Sequence, residues 1–155
     1  MKTEIKNYRE PKVAIIIATF SQDRLLQNNL KSLKKMNYKN WEVFLVDDAS
    51  KKKLGLKMKN SFPWINLLVN KKNRGFATSI NLGMKKSLRK YKPDYILMFN
   101  DDCEVLEKNW LNKLIDFAEK KEDGGIFGCQ IVYPDKSLQW YAKKGKPYLS
   151  EHPGK

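Results

Sequence analysis

The chain is poor in the residues on which many chemistries depend. Its 155 residues include two cysteines, Cys103 and Cys129, and one histidine, His152. Two thiols cannot build a disulfide scaffold or a four-ligand zinc site. One histidine gives Ser-His-Asp and Cys-His nucleophilic mechanisms little to draw on. Eight glycines and six prolines exclude collagen-like and Pro/Gly low-complexity architectures. The most apolar run, VAIIIATF, falls far short of the roughly 18 residues that span a bilayer. The polar start, MKTEIKNYREPK, lacks the apolar stretch of a signal peptide. Neither G-x-x-x-x-G-K-[ST] nor a G-x-G-x-x-G after the first apolar run occurs, which disfavours P-loop NTPases and dinucleotide dehydrogenases. The expectation is a soluble cytoplasmic chain with reduced thiols.

What is abundant is positive charge: 31 Lys+Arg against 17 Asp+Glu, a net +14. It favours anionic partners such as nucleotides, nucleic acid or an acidic membrane surface. The lysines are scattered along the chain, however, whereas a nucleic-acid footprint clusters on one face. Trp41, Trp64, Trp110 and Trp140 fall among lysines and would suit base stacking, but several sit where core packing is expected. No nucleic-acid partner is therefore expected. Peripheral contact with an anionic membrane, at its inner face, is kept as a use for the charge. With 41 % hydrophobic residues the chain can build a core, and its length suits one domain or a domain plus an incomplete second part.

Five short apolar runs, KVAIIIA, WEVFLVD, INLLV, DYILMFN and GIFGCQIVY, begin near residues 12, 41, 65, 94 and 125. The spacing is about one strand-plus-helix unit, and buried parallel strands read as continuous apolar runs. Helical spacing lies between them. It puts Leu26, Leu30, Leu33 and Met36 on one face, then Ala77, Ile80, Met84 and Leu88, then Leu111, Leu114, Ile115 and Ala118. The second connection holds Gly55 and predicts only a short helix. The pattern predicts an α/β fold with a mainly parallel sheet flanked by helices. Pro134-Asp135 predicts a turn, so a hairpin or loop is expected to about residue 142. Residues 1–10 read as a polar extension, 11–142 as the domain and 143–155 as a loosely ordered basic tail. Cys129, inside an apolar run, is expected in the core. Cys103 lies beside acids that disfavour its thiolate.

Ligands of open parallel sheets bind beyond the carboxyl ends of the strands. Three runs end there in polar residues: Ala18-Thr19-Phe20-Ser21, Asp47-Asp48-Ala49-Ser50 and Asn100-Asp101-Asp102. Paired carboxylates would repel a diphosphate unless Mg²⁺ or Mn²⁺ bridged them. Asp47 or Asp48 could instead cap the next turn, and Asp101 or Asp102 the next helix. Asn73-Arg74-Gly75-Phe76 precedes a helix, where exposed N–H groups attract phosphate. Asn81 and Gly83, poor helix formers, suggest close packing or a ligand nearby.

These segments, in this order and spacing, resemble the donor-binding half of the family 2 glycosyltransferases, with their GT-A (Rossmann-like) fold, and within it the rhamnosyltransferase-like branch. The resemblance covers roughly residues 11–140. It implies an enzyme that binds a nucleotide-diphosphate sugar, UDP- or dTDP-linked, with Mg²⁺ or Mn²⁺. The sugar would pass to a glycan or lipid-linked acceptor in polysaccharide biosynthesis. By position, Ala18, Thr19 and Phe20 would pack around the base; Ala18 stands in place of the usual Pro and Ser21 in place of the usual Asn. Asp48 would accept from the base with Asp47 supporting it. Gly75 and Asn81 would line the nucleotide and sugar, with Asn100 and Asp101 near the sugar or ribose. Asp102 would hold the metal. The family's C-terminal acceptor half is expected to be truncated here, and Glu151 and His152 match no catalytic motif. No general base is carried over. The alternative is a nucleotide-sugar-binding remnant without transferase activity.

Overall fold

The computed structural model describes residues 9–121, 123–129, 131–137 and 139. Strands and helices alternate: β1 (Val13–Thr19), α1 (Asp23–Leu33), β2 (Trp41–Asp47), α2 (Leu54–Ser61), β3 (Asn66–Val69), α3 (Phe76–Lys90), β4 (Tyr95–Met98) and α4 (Trp110–Glu119). The four strands form one sheet in the order β3-β2-β1-β4, every pair parallel. Val13 pairs with Trp41 on one side and Tyr95 on the other, and Thr19 with Asp47. The chain divides into two compact units between Ile115 and Asp116.

In the first unit β1 is central, and all seven of its residues are buried. Its side chains alternate between two cores, as strand geometry requires. Val13, Ile15 and Ile17 join Leu26, Leu30, Leu33, Leu45, Met58, Leu111 and Ile115 on one face. Ala14, Ile16 and Ala18 join Phe44 and Ile80 on the other. The stripe expected for α1 is buried as predicted, Met36 included. The second connection is the expected short helix, preceded by a 3-10 turn at Lys51–Lys53. Of the expected extension 1–10, the described residues Arg9 and Glu10 hold the amino edge of the sheet. Arg9 pairs with Asp94 at 2.7 Å, and the Glu10 carboxylate accepts from the Asn40 N–H at 3.0 Å.

Two expectations are corrected. Ala77 and Leu88 are exposed, and α3 meets the sheet through Ser79, Ile80, Gly83 and Ser87. Small residues bury because the helix sits close: a Cβ on Gly83 would lie 2.5 Å from Ile16 Cγ2. The fifth run is not a strand. Among the described residues of 125–133 only Val132 makes a bridge, Ile126 is 97 % exposed, and Cys129 is exposed rather than in a core. Gly125 and Gly128 weaken the run as a strand.

In the second unit the turn predicted at Pro134-Asp135 is present. The Tyr133 N–H donates to the Ser137 carbonyl and the Gln139 N–H to that of Ile131. The proposed tail, 143–155, and His152 lie outside the described residues.

Candidate functional site

At the carboxyl edge the ladder continues past the strand ends. The Asp48 N–H donates to the Thr19 carbonyl, Asn70 to Asp47, and Phe99 to Ile16, each at 2.9–3.0 Å. The loops after β1, β2, β3 and β4 are thereby brought to one edge.

Asp47 is buried, and both its oxygens accept hydrogen bonds from its own chain. One oxygen accepts from the Ser50 N–H at 2.8 Å and the other from the Gly55 N–H, at the start of α2, at 2.7 Å. Gly55 is required here, since a Cβ would stand 2.7 Å from that oxygen. Asp48 is 4 % exposed. Its carboxylate accepts from Asn70 Nδ2 at 2.7 Å, from the Arg74 N–H at 2.9 Å and from the Gly75 N–H at 2.8 Å. Burial is the largest single influence on its proton affinity and opposes the charge. The donors from Asn70, Arg74, Gly75 and Ser79 outweigh it, so the pKa lies below the usual carboxylate value. Asp47 thus caps the turn that follows β2, whereas Asp48 ties the distant turn before α3.

The backbone around these acids is unusual. Ser21 and Ala49 adopt φ near +62° and +64°, and Gly75 +83°. The Ser21 N–H is held by Ser50 Oγ at 2.9 Å. Left-handed non-glycine residues are costly and gather where loops are constrained for function. Phe20 and Phe76 stand at this edge with half or more of their surface exposed. No side chain caps the start of α3.

Asn100-Asp101-Asp102 is a different environment. The Cys103 N–H donates to the Asn100 carbonyl, closing a turn with Asp101 and Asp102 at its corners. Asp102 is exposed and Asp101 half-buried. Burial raises the Asp101 pKa, and the neighbouring Asp102 charge adds to it. The Thr19 hydroxyl lies close enough to ease that charge, yet it is buried without a hydrogen bond of normal geometry. The Asp101 and Asp102 carboxylates, with the Thr19 hydroxyl beside Asp101, are hard oxygen donors, the set that Mg²⁺ and Mn²⁺ prefer. Among the described residues no group of three or more His, Cys, Asp or Glu could cage a metal. A cation here would need oxygens from its ligand as well, as Mg²⁺ commonly does.

Of the residues singled out in sequence, Thr19, Asp47, Asp48, Gly75, Asn100, Asp101 and Asp102 come to this edge. Ala18 is buried beneath it, and Asn81 lies on the exposed side of α3, outside the hydrogen-bond frame. Sequence reading missed Asn70 and Ser79, although Asn70 directly follows β3 as other polar residues follow their strands. A cavity of about 270 Å³ lined by Tyr38, Trp41 and Trp64 lies at the opposite, amino edge. Among the described residues no helix is long and apolar enough to cross a membrane.

Residues 14–154 match the family described as glycosyl transferase family 2. An uncharacterised glycosyltransferase of Haemophilus influenzae is 33 % identical over 97 residues, 62 % of this chain and 31 % of its own. S. aureus TarS 1-349, in complex with UDP-GlcNAc, is similar in structure with a TM-score of 0.59 at 18 % identity, over 78 % of this chain and 40 % of that one. The mannosyltransferase PcManGT of Pyrobaculum calidifontis, in complex with GDP-Man and Mn²⁺, gives 0.57 at 22 % identity, over 70 % and 32 %. The chain spans less than half the length of the curated relatives it matches.

Proposed function

The chain belongs to glycosyl transferase family 2 and has the mainly parallel, helix-flanked sheet of the GT-A fold, and from that premise we propose that it binds a nucleotide-diphosphate sugar for transfer to a glycan or lipid-linked acceptor. The observation that carries the proposal is the Asp101-Asp102 turn, which sets one half-buried and one exposed carboxylate side by side at the edge where the strand-end loops meet.

In this reading Asp102, with Asp101 beside it, holds Mg²⁺ or Mn²⁺. When bound, the cation neutralises charge on the departing diphosphate. Thr19, Phe20, Asp47 and Asp48 form the nucleoside side, with the exposed Phe20 ring as a stacking face over the buried Ala18. Gly75 lets the backbone approach the nucleotide, Asn81 lies on its sugar side, and Asn100 takes a sugar or ribose hydroxyl. The reaction forms a bond from an acceptor oxygen to the anomeric carbon. It breaks the bond from that carbon to phosphate, and the nucleoside diphosphate leaves with the electron pair. The acceptor proton goes to a base, which we assign to no residue of this chain. Transfer by the 155-residue chain alone would overturn that last statement. A UDP- or dTDP-linked hexose or deoxyhexose is the donor class we favour, from the sequence resemblance to the rhamnosyltransferase-like branch. The scattered positive charge suits peripheral contact with an anionic membrane.

The test is thermal unfolding with UDP, dTDP, GDP and CMP, each with Mn²⁺ and with chelator. Ligand at 100 times its dissociation constant adds about 2.7 kcal/mol, a shift of several degrees. We expect a Mn²⁺-dependent shift with one nucleotide, absent in Asp102→Ala. No shift with any of them would leave the remnant reading in its place.

A further inference from the structure

We propose that Asn29, in α1, is the positioning residue of the acidic turn; the inference rests on the reading of Asp101 and Asp102 as the cation and diphosphate site. Asn29 is completely buried, on the helix face that also carries Leu26, Leu30 and Leu33. Asparagine is a poor choice there. It is a weak helix former, and its Oδ1 is buried without a partner. A leucine would extend the apolar stripe and leave no orphan oxygen.

What the asparagine supplies is its amide NH₂. Nδ2 donates to the Asn100 carbonyl at 2.7 Å and to the Cys103 carbonyl at 2.8 Å. Those carbonyls belong to the first and last residues of the turn whose corners are Asp101 and Asp102. One buried group therefore grips both ends of the turn, seventy-one and seventy-four residues away in sequence. Ser32, one helical turn on, repeats the device. Its Oγ accepts from the Val105 N–H at 2.9 Å and donates to the Asn29 carbonyl at 2.7 Å. Residues three apart share a helix face, so α1 fixes the turn and its exit segment together.

The chemical consequence follows from what is left free. Two adjacent carboxylates repel each other, and Asp101 bears that repulsion in a half-buried place. Were the turn loose, the pair would splay apart whenever no cation was bound. Held through its backbone, the turn keeps both carboxylates presented while leaving their oxygens for ligand. Groups that orient metal ligands in this way commonly matter 10–100-fold in affinity.

The experiment compares the full chain with Asn29→Leu, which keeps the number of side-chain heavy atoms and removes both donors, and Asn29→Ser, a smaller second variant should the first fail to fold. Titration calorimetry with UDP and GDP is run with Mn²⁺ and with chelator, alongside amide hydrogen exchange of residues 100–105. We expect Mn²⁺-dependent affinity to fall roughly tenfold or more, chelator affinity to hold, and exchange at Cys103 to quicken. Equal losses with and without Mn²⁺ would mean general weakening of the fold and would overturn the inference, as would unchanged affinity and exchange. Asp102→Ala separates the two questions. If Mn²⁺-dependent binding survives it, the reading of the site fails, while exchange at Cys103 still decides whether Asn29 holds the turn.

Discussion

The molecule carries two Asp-Asp pairs at the same edge, and they are put to opposite uses. Asp47 and Asp48 follow β2, are buried, and give their oxygens to backbone and side-chain donors of the chain itself. Asp101 and Asp102 follow β4 and are held far more loosely: the Thr19 hydroxyl lies beside Asp101, and the Cys103 thiol makes a weak contact with Asp102 at 3.8 Å. The difference comes from what the chain does next. After Asp47-Asp48 the starts of α2 and α3 bring the N–H groups of Gly55, Arg74 and Gly75 within reach. After Asp101-Asp102 the chain runs without helix as far as Trp110, so no helix start is at hand. One pair builds loops; the other is presented by them.

Four experiments would break or sharpen that contrast. Asp48→Ala strands the Arg74 and Gly75 N–H groups and should cost about 3 kcal/mol, as loss of bonds to a buried charge does. That is a fall of roughly 10 °C in the unfolding midpoint. Gly55→Ala drives a methyl against Asp47 Oδ2 and Leu67 Cδ1. Chemical denaturation should show about 2 kcal/mol lost. Acid comes third, and the two pairs should respond with opposite sign. The folded chain holds Asp48's proton less tightly than the unfolded chain does. Its contribution is therefore full above about pH 4 and lost as pH falls through the lowered folded value. Asp101 is raised, so its strain is felt at neutral pH and relieved as the acid range is entered. Denaturation curves of Asp48→Asn and Asp101→Asn against pH should diverge from the parent in opposite directions. Smallest is Asp102→Ala, which should change the free chain's stability by less than about 0.5 kcal/mol. A loss equal to that of Asp48→Ala would erase the distinction between the pairs.

Much of this was legible in the residues. The four strands announced themselves as apolar runs because β1 and β2 are buried on both faces, and α1 through its leucines. The polar strand ends marked the edge where the loops after the strands gather. Two kinds of feature were not legible. The buried face of α3 is built of Ser79, Gly83 and Ser87, and a search for apolar periodicity passes over small residues. Asn29 and Asn70 act on segments distant in sequence or across a loop, and an asparagine in isolation reads as solvent-facing. GIFGCQIVY shows the converse error: apolar content alone does not make a strand, and its described residues pair only locally, through Ile131 and Tyr133 across the turn at Pro134-Asp135.

Gly83 has a mechanical consequence. It is the stop against which α3 is seated, with Ile16 below it and Val46 beside it. α3 is a stiff rod with Gly83 at its middle, and Gly75, eight residues earlier, lies at its N-terminal end. A single added methyl at Gly83 would lift or tilt the rod and so shift the turn that Asp48 holds. The depth of the carboxyl edge is thus gauged from beneath the sheet's cover, by a residue far from the loops that form it.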